Sequence, residues 1–93
     1  MSYINYKVKY MIDLNNVGFV LASKYRKIIM ESLLDSNKTI KEISDECDVG
    51  KRLLYAPAKS LRDYGLVVKK ERTYAINDEG AEVINFIHEK WGK

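Results

Sequence analysis

The chain has 93 residues, with 16 Lys and Arg against 13 Asp and Glu for a net charge of +3, 46% hydrophobic residues, and a single proline, cysteine, histidine and tryptophan. This is the length of one domain, whose modest core leaves little room for an enclosed substrate pocket. A lone Cys47 closes no intramolecular disulfide and, with a lone His88, supplies no thiol-rich metal site, so neither a metal nor a cofactor is expected.

The opening MSYINYKVKYMIDLNN lacks the basic start and long apolar centre of an export signal. The longest apolar stretch, around Phe19 to Ala22, is too short to span a bilayer, which points to a cytoplasmic protein. Residues 1–16 read as a strand or arm, because Ile4, Tyr6, Val8, Tyr10, Ile12 and Leu14 alternate with mostly polar neighbours. Ile4, Val8, Met11 and Ile12 would also suit a helix. From Val17 the period changes, and Phe19, Val20, Leu21, Ile28, Ile29, Leu33 and Leu34 form an amphipathic helical pattern ending near Asp35-Ser36-Asn37, within which Ser23 can cap a fresh start.

Thr39-Ile40-Lys41-Glu42 has the form of a capping box, in which the Thr and Glu side chains satisfy each other's free backbone amides. It predicts a short helix from Ile40 to Cys47 with Ile40, Ile43 and Cys47 on its inner face, so Cys47 reads as a small buried hydrophobe. Asp48-Val49-Gly50 then turns the chain, with Gly50 expected to take a conformation that other residues resist. A third helix is expected over 51–64, stopped by Gly65 as a left-handed cap with Leu66 behind it. Leu66-Val67-Val68-Lys69-Lys70 and Thr73-Tyr74-Ala75-Ile76 read as two strands joined at Glu71-Arg72. Asn77 caps a last helix whose Val83, Ile84, Phe86, Ile87 and Trp91 occupy a wider arc than one intramolecular contact needs. Ile84, Ile87, His88 and Trp91 are therefore expected at a dimer interface, with the amino-terminal segment as an alternative or additional contact.

The positive charge is concentrated. Residues 51–72 hold seven basic residues against Asp63 and Glu71. Projected at about 100° per residue, the 51–64 helix places Leu53, Leu54, Pro57, Ala58, Leu61 and Tyr64 on one side. Lys51, Arg52, Tyr55, Lys59 and Arg62 fall on the other. Such a face suits the major groove of double-stranded DNA, where Arg bonds guanine edges and Lys holds phosphates. Pro57 lies inside this span, where it costs about 3 kcal/mol if unrelieved, so either the helix bends or its first turn is irregular. Lys24, Arg26, Lys27, Lys38 and Lys41 are further candidates for phosphate contacts.

The chain resembles the winged helix-turn-helix family, in particular the small transcription regulators of the ArsR and MarR type common in archaea. The resemblance rests on Leu21 to Ile29, Ile40 to Ser44, Lys59 to Val67 and Tyr74 to Gly80, and covers about residues 17–90. It implies a single mostly α domain with a small β-hairpin (α+β), a homodimer with helix 51–64 in the major groove, and a wing of about 66–76 that brings Lys69, Lys70 and Arg72 to the backbone or minor groove. No Gly-rich phosphate loop, Ser-His-Asp set or HExxH spacing is present, so an enzyme is not expected. The competing reading is a winged-helix module that binds protein through Tyr3, Tyr25 and Trp91.

Overall fold

The computed structural model describes residues 12–92, so most of the expected amino-terminal strand, residues 1–11, lies outside them. Leu14, the last member of the alternating pattern, is helical: α1 spans Leu14–Leu21 and is capped by Asp13, whose carboxylate accepts the Asn15 amide. The apolar pattern from Val17 onward is split at Ala22-Ser23, because the Ser23 side chain accepts the Arg26 amide and starts α2, Lys24–Leu33. A two-residue strand β1, Lys38–Thr39, leads into α3, Ile40–Cys47, and the expected capping box is complete. Thr39 accepts from the Glu42 amide at 3.1 Å while Glu42 accepts from the Thr39 amide at 2.8 Å.

The turn after α3 departs from expectation. Asp48 takes the left-handed conformation, with φ 55° and ψ 48°, whereas Gly50 has an ordinary φ of −59°. Aspartate tolerates this region because its short polar side chain bonds locally. The expected 51–64 helix is also divided. Lys51–Leu53 forms one 3₁₀ turn, and α4 begins afresh at Tyr55 and runs to Asp63. Pro57 is thereby the third residue of α4, where its missing N–H is one that a helix leaves unpaired anyway. The irregular first turn, rather than a bend, accommodates it.

Gly65, φ 73°, ends α4 as the sequence predicts. The Leu66 amide donates to Leu61 and the Gly65 amide to Arg62, both at 3.0 Å, which satisfies two carbonyls of the last turn and turns Leu66 into the core. Strands β2, Val67–Lys70, and β3, Thr73–Ile76, pair antiparallel, and β1 adds to the far side of β3, Lys38 opposite Tyr74. The sheet order is β1-β3-β2. Helix α5, Asp78–Trp91, completes the fold. Helix α2 touches all four other helices and β3, and the fully covered Ile29, Met30, Ile43, Leu54, Leu61, Leu66, Ile84 and Ile87 form one core.

Two side-chain junctions hold these elements in place. Asn77 accepts the Gly80 amide at 2.8 Å as the cap of α5 and donates to the Gly65 carbonyl at 2.7 Å. It thus ties the start of α5 to the end of α4. Lys38 bridges Asp35 at 2.6 Å and Glu46 at 3.1 Å and also donates to the Ser32 carbonyl, joining the end of α2, β1 and α3. Its hydrogen bond and charge hold the Asp35 carboxyl below its ordinary value. Hydrogen bonds from Ser32 and then Lys38 do the same for Glu46. Burial pulls the Lys38 ammonium down, but its bonds to Asp35 and Glu46 outweigh this and leave it raised.

Three substitutions test this account in denaturant titrations. A Cβ on Gly80 would lie 2.1 Å from the Leu66 carbonyl oxygen, a backbone atom that cannot turn away. Gly80→Ala should therefore destabilise by about 2 kcal/mol or more. Glu71 has φ 58° at the hairpin tip, where glycine carries no steric cost, so Glu71→Gly should stabilise by up to about 1 kcal/mol. Lys38→Met should cost stability at neutral pH, and that cost should shrink on acidification. Carboxylates whose folded pKa is depressed contribute above the ordinary carboxylate range and lose that contribution as pH falls through the folded value. An equal cost at pH 7 and at pH 2 would rule out the ionic part.

Candidate nucleic-acid interface

Helix α4 carries two opposed faces generated by its spacing. Leu54, Ala58 and Leu61, at i, i+4 and i+7, are fully buried. Tyr55, Lys59 and Arg62, at the same spacing one residue later, are exposed. The preceding 3₁₀ turn extends the exposed face with Lys51 and Arg52. Leu53 and Tyr64, expected inside, are 49% and 54% exposed. The tighter 3₁₀ winding takes Leu53 out of the α-helical projection, and Tyr64 lies past the last helical residue as the cap.

The hairpin stands beside this face. Thr39, Ile40, Lys41, Lys51, Tyr55, Lys69, Arg72 and Tyr74 line one groove of about 580 Å³, formed by the start of α3, the 3₁₀ turn, the first residue of α4 and the wing. Four of these residues are cations and none is acidic. The Lys69 ammonium lies 5.4 Å from the centre of the Tyr74 ring, which is itself buried, so the wing lysine is held over the groove wall. Lys70 is exposed on the same strand. The eight residues picked out from the sequence, Lys51, Arg52, Tyr55, Lys59, Arg62, Lys69, Lys70 and Arg72, are thus all exposed, on the 3₁₀ turn, α4 and the hairpin.

Their charges are not equally available. Lys59 pairs with Asp63 at 3.1 Å, one helical turn on, and Lys41 with Asp45 at 2.9 Å. Lys51, Arg52, Arg62, Lys69, Lys70 and Arg72 make no ion pair with a described residue. Of the further candidates, Lys38 is committed to Asp35 and Glu46, and Lys27 lies 3.6 Å from Glu31. Arg26 turns inward to donate to the Phe19 carbonyl at 2.7 Å. Lys24 alone of that amino-terminal trio is exposed. Lys41, which borders the groove, gains a place beside the eight that its position near a helix start had only suggested.

The other expected surface is narrower than its sequence pattern. Ile84 and Ile87 are fully buried in the chain's own core and have no area left for a second chain. The wide apolar arc of α5 is explained by its packing against α1, α2 and β3. His88 is half-buried, its Nε2 2.8 Å from Glu31 on α2. Trp91 remains 62% exposed, with Phe86 meeting it edge-on at 6.4 Å between ring centres. Cys47 packs against the core as expected, and burial pushes its thiol above the ordinary value.

No family model matches the chain, and no curated protein sequence matches it. Solved structures do. The quinone-bound YodB from B. subtilis superposes with a TM-score of 0.72 at 19% identity, over 83% of this chain and 88% of that one. Reduced HlyU from Vibrio cholerae N16961 gives 0.63 at 22% identity over 99% and 98% of the two chains. A second HlyU structure gives 0.63 at 24% identity over 89% and 100%. At such identities the likeness is one of architecture, and the architecture shared is the winged helix: a mostly α domain with a small antiparallel sheet.

Proposed function

We propose that this chain is a sequence-specific regulator of transcription that binds double-stranded DNA as a homodimer in the cytoplasm. The observation that carries the reading is the unpaired cationic face of Lys51, Arg52 and Arg62 around Tyr55, beside a groove whose other wall is the basic wing. A helix with one buried face and one cationic face fits a major groove, and the resemblance to winged-helix transcription regulators supports the same placement.

The roles divide by position. Arg52 on the 3₁₀ turn and Tyr55 and Arg62 on the exposed face of α4, the proposed reading helix, are assigned to base edges. Lys51, Lys59, Lys69, Lys70 and Arg72 are assigned to phosphates. The wing tip is only two residues long, since Lys70 pairs directly with Thr73, so Arg72 meets the backbone rather than the floor of the minor groove. For the homodimer the surface is Trp91 with Phe86, near His88; Ile84 and Ile87 support it from beneath. Nothing in this reading requires catalysis or a cofactor.

Fluorescence anisotropy with duplex selected by the protein from a random pool, against a scrambled duplex, tests the assignment. The affinity should fall with salt at a slope of about −0.9 for each phosphate held. Arg52→Ala should cost about 1–3 kcal/mol on the selected duplex and little on the scrambled one, whereas Lys69→Gln should weaken both alike and flatten the slope by about one. Asp63→Asn frees Lys59 and should tighten both severalfold. No duplex binding at low salt, with a stoichiometric protein partner instead, would replace the regulator by an assembly module presenting Trp91.

A further inference from the structure

We infer that Arg26 is a positioning residue for the DNA-reading helix, acting through a three-layer stack with Phe19 and Tyr64; the inference rests on the DNA-binding reading above. The Phe19 and Tyr64 rings lie 3.6 Å apart between centres with planes 6° from parallel. The Arg26 guanidinium carbon lies 3.8 Å from the centre of the same Phe19 ring. Two groups this close to one ring centre overlap if they share a face, so Arg26 and Tyr64 occupy opposite faces of Phe19. Aromatic rings avoid full face-to-face contact because like quadrupoles repel. A cation on the far face draws the Phe19 electron density toward itself and lowers that repulsion.

Arg26 is fixed as well as placed. Its Nη1 donates to the Phe19 carbonyl at 2.7 Å, and its Nε is fully covered with no acceptor among the described residues. The guanidinium is therefore committed to protein contacts and is not presented to a phosphate. Tyr64 is the cap residue of α4, one position before the chain reverses at Gly65. The stack thus clamps the carboxyl-terminal end of the reading helix to α1 and α2, and sets the rotation at which Tyr55 and Arg62 meet a groove.

The test compares wild type, Arg26→Gln, Tyr64→Leu and the double variant, each checked by thermal melt, on the selected and scrambled duplexes. Arg26→Lys serves if the glutamine variant does not fold, since it keeps the charge and loses the plane. Each single substitution should lower the ratio of selected to scrambled affinity by about tenfold, with scrambled affinity and salt slope unchanged, and the double variant should fall no further. Equal loss on both duplexes with a slope flatter by about one would make Arg26 a phosphate contact and overturn the proposal. An unchanged ratio, or additive losses, would overturn it too. Amide exchange at Tyr64 and Gly65 is followed in the same proteins: if wild type binds no duplex, the DNA reading falls, whereas unaltered exchange in Arg26→Gln removes the clamp itself.

Discussion

The approach of α5 to the end of α4 is the constraint on which the remaining geometry depends. At Gly65 the chain leaves α4 through a left-handed residue, and Leu66 is driven into the core with its carbonyl facing the first turn of α5. Gly80 has no Cβ at that point of contact, which lets the helix sit directly on the Leu66 peptide. Asn77 closes the junction from the side, since one amide group caps α5 and reaches the Gly65 carbonyl. The Asn77 amide also donates back to the Leu66 carbonyl at 3.3 Å. Strand β2 starts at the next residue and β3 ends one residue before Asn77, so the hairpin's base is fixed by the same few atoms. The wing and α4 therefore share an anchor, and the groove between them has walls that are set relative to each other.

Charge on this surface is organised by what each cation already holds. Lys38 and Lys27 are paired with carboxylates, and Arg26 is absorbed by Phe19; all three belong to the scaffold. Lys41 and Lys59 are paired one turn along their own helices. Exposed pairs of this kind, screened by solvent, add little to stability, so a polyanion can outcompete them. Among the described residues of α4 and the groove, the cations without a carboxylate partner are those of the 3₁₀ turn, Arg62 and the wing, while Lys24 on α2 and Lys90 on α5 also make no ion pair. A sequence count treats sixteen basic residues alike, whereas the structure separates those that stabilise the fold from those left to act on something else.

The elements legible in the sequence were those with a local chemical signature. The Thr39 and Glu42 box, Gly65 followed by Leu66, and Asn77 before two acids each determine a helix end through side chains within a few residues. Strand β1 was not legible, because two residues carry no period and pair only when β3 arrives from 34 positions later, Thr39 opposite Thr73. The αL residue at Asp48 rather than Gly50 was hidden for a related reason: both residues suit a turn, and the observed one is closed by Ser44, whose carbonyl accepts the Val49 amide at 3.2 Å and whose hydroxyl donates to the Val49 carbonyl. The buried state of Ile84 and Ile87 depends on three elements packing around α5. The cationic face was legible because its residues lie within one short stretch of sequence, 51–62; the groove was not, because its walls come from α3, the 3₁₀ turn, α4 and the hairpin.

The two ends of α4 are held very differently, and the difference has a physical sense. Its carboxyl-terminal end is over-determined by the Gly65 reversal, the Asn77 bond and the stack on Phe19. Its amino-terminal end has no side-chain cap, and the preceding 3₁₀ turn holds no buried residue. Helix starts usually attract an acidic or hydroxyl cap, which would both satisfy the free amides and offset the partial positive charge there. Here the corresponding positions are Lys51, Arg52, Leu53 and Leu54, and the local positive charge is reinforced instead of neutralised. The turn itself contributes no buried residue and no side-chain cap to hold the helix start, whereas the far end is anchored to the core. The 3₁₀ turn is thus left with an unmet electrostatic demand at the start of a helix whose far end is anchored, an arrangement that suits the proposed contact with a polyanion.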